Sequence, residues 1–285
     1  MSIVRKTASF VYTLDKEPIR NGYVEYDDVD GKIISVGECA PGEEVHPGAI
    51  VPGFVNAHCH IELSHLYKKF RKGTGMAGFI DQINALRDWA GRDVKEQLTL
   101  RWMDKMWNDG VSAMADISND DSSFDVKKAH RLYTRTFLEV FGSEPEMCEG
   151  VMREVAELQA VADSAGIDAA PTPHSCYTMS PQLLSASAAK GLESGFLSYH
   201  SQESQEEEDL LVSGTGAMYE NRKRSGMSTP PVTGESSLKY FLDRLAAVKA
   251  APYDEHILLV HNVCLQQSDV DAIKKAMKNP FFAVC

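Results

Sequence analysis

The sequence predicts an α/β fold: a small all-β segment up to about residue 50, then a parallel sheet interleaved with helices, either open or closed into a barrel. Three observations predict it. No helical period appears ahead of the histidine pair near residue 60. From residue 51 onward, short apolar runs alternate with amphipathic helical runs. No Gly-x-Gly-x-x-Gly or Gly-x-x-x-x-Gly-Lys-Ser/Thr stretch opens a helix, which makes an open, nucleotide-cradling sheet the weaker option.

The elements follow in order. TASFVYTL and GYVEYDDV read as strands, and Asp30-Gly31 turns the chain into KIISVGE, a hairpin. Val51, Phe54, Val55 and Ala57 read as a strand buried on both faces, entered through the Pro52-Gly53 bend. GFIDQINALRDWAG places Phe79, Ile80, Ile83, Leu86, Trp89 and Ala90 on one helical face. A helix around LTLRWMDKMWNDG stops at Gly110, and the strands VSAMADI and RTFLEVF follow. The helix VMREVAELQAVADSAG also ends on a glycine. IDAAPTPH is a strand leading to Ser180-Pro181, a cap and first-turn pair for SPQLLSASAAKG. FLSYHSQE, an acidic helix, the loop STPPVTGESS, the helix SLKYFLDRLAAV, HILLVHN, the capped helix SDVDAIKKAMKN and FFAVC complete the chain. Strand candidates starting at 51, 112, 135, 168, 196, 256 and 281 make seven; a closed barrel of this kind needs about eight.

A net charge of −12 argues against nucleic acid or an anionic membrane as the main partner, because both call for a basic face. The N-terminus lacks the apolar core of a signal peptide, and no run is long enough to span a bilayer. Cysteines 39, 59, 148, 176, 264 and 285 are scattered without a C-x-x-C pair, the usage of a reduced, cytoplasmic protein.

The polar residues at the strand ends carry the functional signal. In VPGFVNAHCHIELSHL, residues two apart on a strand point the same way, so His58 and His60 project together while Cys59 faces away. Two imidazoles aimed at one spot suit a metal. The fourth barrel-type strand delivers His174 in PTPHSCYTMSP. The fifth delivers His200 and, three residues on, Glu203 in SYHSQES; the sixth delivers His261 in LLVHNVC. Four of seven strands therefore end in histidine in a chain that holds nine, which points to one shared mouth at the C-terminal ends of the strands. His65 and His256 read as structural, and Glu206, Glu207, Glu208 and Asp209 as a solvated helix face.

The ordered set His-x-His, Pro-His, His-x-x-Glu and His resembles the metal-dependent amidohydrolase superfamily, most closely its branch of nucleobase and nucleoside deaminases and triazine chlorohydrolases. The resemblance spans nearly the whole chain. It implies a (β/α)8 TIM-like barrel with about seven strands present in 51–285, preceded by part of a small β-sandwich in 1–50. It implies that His58, His60 and His200 bind a divalent metal, zinc first and iron as the alternative. Glu203 would be the proton shuttle, His261 would orient the water or the group under attack, and His174 would contact the substrate. Where two-metal relatives carry a lysine at the end of the fourth strand this chain has His174, so one metal is expected.

The implied reaction is hydrolytic deamination of an aminated N-heterocycle, a small-molecule substrate, in a protein compatible with a homo-oligomer. Ring opening of a cyclic amide or imidazolone uses the same metal and is the alternative, as is a catalytically silent metal-binding protein. The family's eighth strand supplies a metal-binding aspartate, which has no counterpart before Cys285. The expectation is therefore that the sequence is a fragment of a longer product, with the eighth strand and the returning sandwich strands beyond it.

Overall fold

The computed structural model describes residues 2–283. It divides into two compact units at Phe54/Val55. The first is a four-stranded sheet of β1 (Ile3–Val11), β2 (Ile19–Asp27), β3 (Ile33–Glu38) and β4 (Ala49–Ile50), in the order β3-β2-β1-β4. β1, β2 and β3 run antiparallel, and β4 pairs parallel to β1. The expected hairpin closes where Asp27 N–H donates to the Lys32 carbonyl at 3.0 Å, with Gly31 left-handed at φ +73°. β1 starts four residues before TASFVYTL, because Ile3 to Lys6 pair with Val24 to Asp27. It also stops short of Leu14, whose φ of +68° leaves the strand conformation.

The second unit alternates strand and helix. β5 (Phe54–Cys59) is followed by a 3-10 turn at Ile61–Leu66, then α1 (Gly75–Leu86) and α2 (Arg92–Asn108). Next come β6 (Val111–Ser118), α3 (Phe124–Ala129), β7 (Tyr133–Val140), α4 (Cys148–Ala165), β8 (Ala169–Pro173) and α5 (Pro181–Glu193). β9 (Phe196–Ser201), α6 (Gln205–Ser213), α7 (Gly216–Arg224), α8 (Ser237–Val248), β10 (His256–His261), α9 (Gln267–Ala276) and β11 (Pro280–Ala283) complete it. Val284 and Cys285 of the expected strand FFAVC lie outside the described residues. No described helix is long and apolar enough to cross a membrane.

The seven strands from β5 to β11 form two ladders among the described residues, β5-β6-β7-β8 and β9-β10-β11, with β6-β7, β7-β8, β9-β10 and β10-β11 pairing parallel. The ladder breaks between β8 and β9 because Pro171 and Pro173 have no N–H to offer. The Thr172 hydroxyl takes over, donating to the Ser198 carbonyl at 2.5 Å and accepting from its N–H at 2.9 Å, and His200 N–H reaches the His174 carbonyl at 2.9 Å. The two ladders therefore meet at the histidines.

Helices cover the outer face. α5 buries Leu183, Leu184, Ala188 and Leu192 against Leu197 of β9, and Tyr199 stacks on Phe241 of α8 at 3.7 Å. Ser180 caps α5 as expected, accepting from Leu183 N–H, with Pro181 in the first turn. The helix runs on past Lys190-Gly191, where a Cβ would lie 2.8 Å from Leu197 Cδ1, so glycine lets the helix approach the sheet. α4 ends on left-handed Gly166.

Four expectations need correction. Val51, Phe54 and Val55 are 48, 63 and 65% exposed rather than buried on both faces, since β5 lies at the end of its ladder. α1 stops at Leu86, leaving Trp89 and Ala90 beyond it; the Arg87 carbonyl that the next turn needs instead bonds the His65 ring at 2.8 Å. α9 begins at Gln267, because Gln266 and Asp269 form a capping box ahead of the expected start. The helices α3 and α7 were not anticipated: both are short, and α7 is polar on nearly every face.

Candidate active site

Alternation along β5 turns His58 and His60 to one side and Cys59 to the other, where its Sγ lies 3.5 Å from Asp116 Oδ1. The backbone after His60 is tied down: Ile61 N–H donates to Asp116 Oδ1 at 2.7 Å, and Asp116 is itself paired with Lys127 Nζ at 2.5 Å. Both members of that pair are essentially free of solvent, at 0 and 1% side-chain exposure.

His200, at the end of β9, brings its Nε2 to 3.3 Å from His60 Nε2. One ring nitrogen from each of His58, His60 and His200 falls within a 4.8 Å set, and His58 Nδ1 is buried with no hydrogen-bond partner. His261 closes the group, its ring 5.7 Å from that of His58 and 5.4 Å from that of His200. It adopts a left-handed backbone, φ +73°, as β10 ends. His174 lies beside His200, with ring centres 4.4 Å apart. Its Nδ1 is held at 2.8 Å by both the Ser175 and the Thr178 hydroxyl.

Burial drives His58, His60, His174 and His200 toward the neutral form, and neighbouring rings add to the effect. His58 is pushed down to about 3 and His174 to about 4, in both cases chiefly by burial. His200 lies well below the ordinary imidazole range for the same reason, with His174, His58, His60 and His261 reinforcing it. His60 is lowered by burial against the opposing pull of Glu139 and Asp116. Neutral imidazoles with convergent lone pairs are what a divalent cation requires, and the unpartnered His58 nitrogen is otherwise a buried polar atom without compensation. The donor set fits a borderline-soft metal such as zinc.

Glu203 sits one turn of chain beyond His200. Tyr177 donates its hydroxyl to Glu203 Oε2 at 2.7 Å, and His261 Nε2 lies 3.3 Å from Oε1. The expected solvated face just after it is not one. Glu207 accepts from the N–H groups of Gln202 and Glu203, Glu208 accepts from Ser237, and Glu206 accepts from Met76 and Ala77 at the head of α1. Glu207 is buried because it satisfies backbone donors that the turn from β9 to α6 leaves open, and Glu208 because it takes the free Ser237 N–H and hydroxyl at the start of α8.

All six candidate residues, His58, His60, His174, His200, Glu203 and His261, line one cavity of about 480 Å³. Its outer wall is apolar, from Phe70, Met76, Phe79, Ile80, Met218 and Met227. The helical face expected of α1 is thus spent on the cavity. His65 and His256 stay outside it: His65 is buried in the turn after β5, and His256 at the start of β10 packs against Phe196 and Phe281.

Several polar residues of the cavity went unread in the sequence, Glu139, Tyr177 and Arg222 among them. Glu139 ends β7, Tyr177 braces Glu203, and Arg222 reaches the Tyr177 carbonyl. Glu139 left a signal, as the one carboxylate in the otherwise apolar end of RTFLEVF. The other two lie in loop and helix positions that no periodicity marks.

The family model described as "Amidohydrolase family" matches residues 49–285. Among solved structures, Helicobacter pylori aminofutalosine deaminase in complex with methylthio-coformycin superimposes with a TM-score of 0.79 at 22% identity, over 99% of this chain and 69% of that one. Guanine deaminase from C. acetobutylicum with bound guanine gives 0.66 at 14% identity, over 96% and 65%. Atrazine chlorohydrolase from Arthrobacter aurescens complexed with zinc gives 0.68 at 16%, over 100% and 65%. No curated protein matches the sequence. At these identities the structural likenesses speak for the fold.

Proposed function

The chain belongs to the amidohydrolase family, and from that premise we propose that it is a metal-dependent hydrolase that deaminates an aminated N-heterocycle. His58, His60 and His200 would hold the divalent metal, zinc by the chemistry of the donors. Such a metal supplies an activated water at neutral pH. The chain's own residues do the rest. Glu203, reaching the cavity beside the imidazoles, takes a proton from the attacking water and gives it to the ring nitrogen as the sp² carbon is attacked, then carries that water's second proton to the departing amine, so that the carbon is left as a carbonyl and the amine leaves as ammonia. His261, 3.3 Å from Glu203, orients the attacking and attacked groups at that carboxylate. His174, its Nδ1 held by two hydroxyls, presents a fixed edge to the substrate. The apolar wall of α1 and α7 excludes water around the ring.

The observation that carries this reading is the juxtaposition of the imidazole trio with a carboxylate that is itself braced by Tyr177 and His261. A metal site serving structure alone needs no such shuttle. The deaminases among the structural neighbours support the substrate class. The test is ammonia release from a panel of aminated purines, pyrimidines and their nucleosides by the zinc-loaded protein. Release from one class, abolished by a chelator, is expected. Hydrolysis of a cyclic amide without ammonia would replace this reading with ring opening.

A further inference from the structure

Of the carboxylates that line the cavity, Glu139 is the one that lies against the imidazoles and yet has no task in the proposed chemistry. It ends β7, directly beside β8, where Glu139 pairs in register with Thr172 and the His174 N–H reaches the Val140 carbonyl at 3.0 Å. Its side chain is 5% exposed. One oxygen is anchored: Asn119 Nδ2 donates to Oε2 at 2.9 Å, and Arg87 Nη2 donates to the Oδ1 of the same Asn119 at 3.1 Å. The other oxygen, Oε1, is buried and makes no hydrogen bond. It lies 3.7 Å from His200 Nδ1 and 3.7 Å from His174 Nε2.

A carboxylate oxygen has lone pairs for two donors, and leaving it unsatisfied in a buried site is costly. A side-chain shift of about 1 Å brings 3.7 Å to hydrogen-bond length. The geometry also says which proton is available. His200 turns Nε2 toward His60 Nε2 at 3.3 Å, on the side where His58 converges, and turns Nδ1 toward Glu139. A ring that gives its Nε2 lone pair to a metal keeps its proton on Nδ1, and that proton needs an acceptor.

We propose that Glu139 is a positioning residue: its Oε1 accepts the Nδ1 proton of His200 and so fixes that imidazole with Nε2 unprotonated and aimed at the metal position. The role rests on the metal reading above. Asn119 and Arg87 belong to it as the brace that stops the carboxylate from rotating away. His174, facing the same oxygen, shares the acceptor and is thereby held beside His200, the two rings tilted by 31° with centres 4.4 Å apart.

The test measures zinc affinity by competition with a chromophoric chelator, for the wild-type chain, Glu139→Ala and Glu139→Gln. An orienting partner of a metal-bound histidine is typically worth 10- to 100-fold in affinity, so Glu139→Ala should bind zinc that much more weakly. Glu139→Gln, which keeps an acceptor oxygen, should lose less. A second readout needs no variant. In the metal-free wild-type chain labelled with 15N-histidine, ring chemical shifts should report His200 as the Nδ1–H tautomer. Zinc affinity of Glu139→Ala within twofold of wild type, or an Nε2–H tautomer for His200, overturns the role of Glu139 and leaves the metal reading standing. A wild-type chain that takes up no zinc overturns both.

Discussion

Tyr177 donates its hydroxyl to Glu203 Oε2 at 2.7 Å, from a side chain that is itself buried. The bond spans two strand ends: Tyr177 lies in the turn after β8, and Glu203 in the loop after β9. Tyr177 therefore sets the direction in which the carboxylate faces the cavity. Its own phenol is pushed well above the ordinary range by burial and by Glu203, so it remains a donor across the working pH range.

Replacing Glu203 with glutamine keeps the shape and removes the exchangeable proton. Turnover should fall by roughly 10² to 10⁴ while zinc content is unchanged. Steady-state ammonia release beside elemental analysis makes the measurement, and turnover preserved within a few-fold would remove the shuttle role.

Tyr177→Phe deletes only the donor. A hydrogen bond to a charged group is worth about 1.5 to 3 kcal/mol, so kcat should drop at least about tenfold as Glu203 loses its fixed orientation. The KM should change little, because the hydroxyl points at the carboxylate and away from the apolar wall. A raised KM with unchanged kcat would make Tyr177 a substrate contact instead.

The histidines and the strands that carry them were legible because both leave a local mark in the sequence: His58 and His60 stand two apart on one strand, and β6, β9 and β10 are short, continuously buried runs between helices. Partners that meet only through the fold were not. Glu207 and Glu208 look like any acidic helix face until the turn before α6 presents its free N–H groups to Glu207 and the head of α8 presents Ser237 to Glu208. Lys127 sits in DVKKA, where nothing local foretells a buried ammonium; it is paired with Asp116 by the packing of α3 on β6 and β7. Trp89 and Ala90 kept the helical period yet lie beyond α1, since a tertiary bond to the His65 ring ends the helix first.

His200 is shared by both groups of metal-capable side chains, one with His58 and His60, the other with Glu139 and His174. His200→Ala should therefore abolish zinc uptake, whereas His174→Ala should leave it near one equivalent per chain. Elemental analysis after dialysis distinguishes them. Two equivalents in the wild type, or full zinc in His200→Ala, would refute a single site built on the β5 and β9 histidines.

Glu144 predicts a pH dependence. Its carboxylate accepts from the Ser228 hydroxyl at 2.6 Å, the Ser228 N–H at 2.9 Å and the Ser143 hydroxyl at 2.7 Å. These bonds, that of the Ser228 hydroxyl first, hold it down at about 2 from the usual 4.5. A carboxylate lowered by folding contributes stability that is fully present above its unfolded value and is lost as pH falls through its folded value. The denaturation midpoint should thus decline between pH 4.5 and 2 more in the wild type than in Glu144→Gln. Parallel profiles would show that the Ser228 clamp contributes nothing to folding.

The Asp116–Lys127 pair offers the sharpest stability test, because it is buried and each partner has other duties. Lys127 Nζ also donates to the Ser118 hydroxyl at 2.8 Å and lies 3.2 Å from Thr136 Oγ1, while Asp116 accepts from Ile61 N–H immediately after His60. Removing only the cation leaves a carboxylate stranded between sheet and helix, a change that costs about 3–5 kcal/mol. Lys127→Met should lose that much by denaturant titration. The double variant Asp116→Asn/Lys127→Met removes both charges and keeps an acceptor for Ile61, so it should be more stable than Lys127→Met alone. Zinc affinity should follow the same order, because the Ile61 bond fixes the backbone that aims His60. If the double variant is less stable than Lys127→Met, the penalty lies in lost packing around the lysine stem and not in the stranded charge.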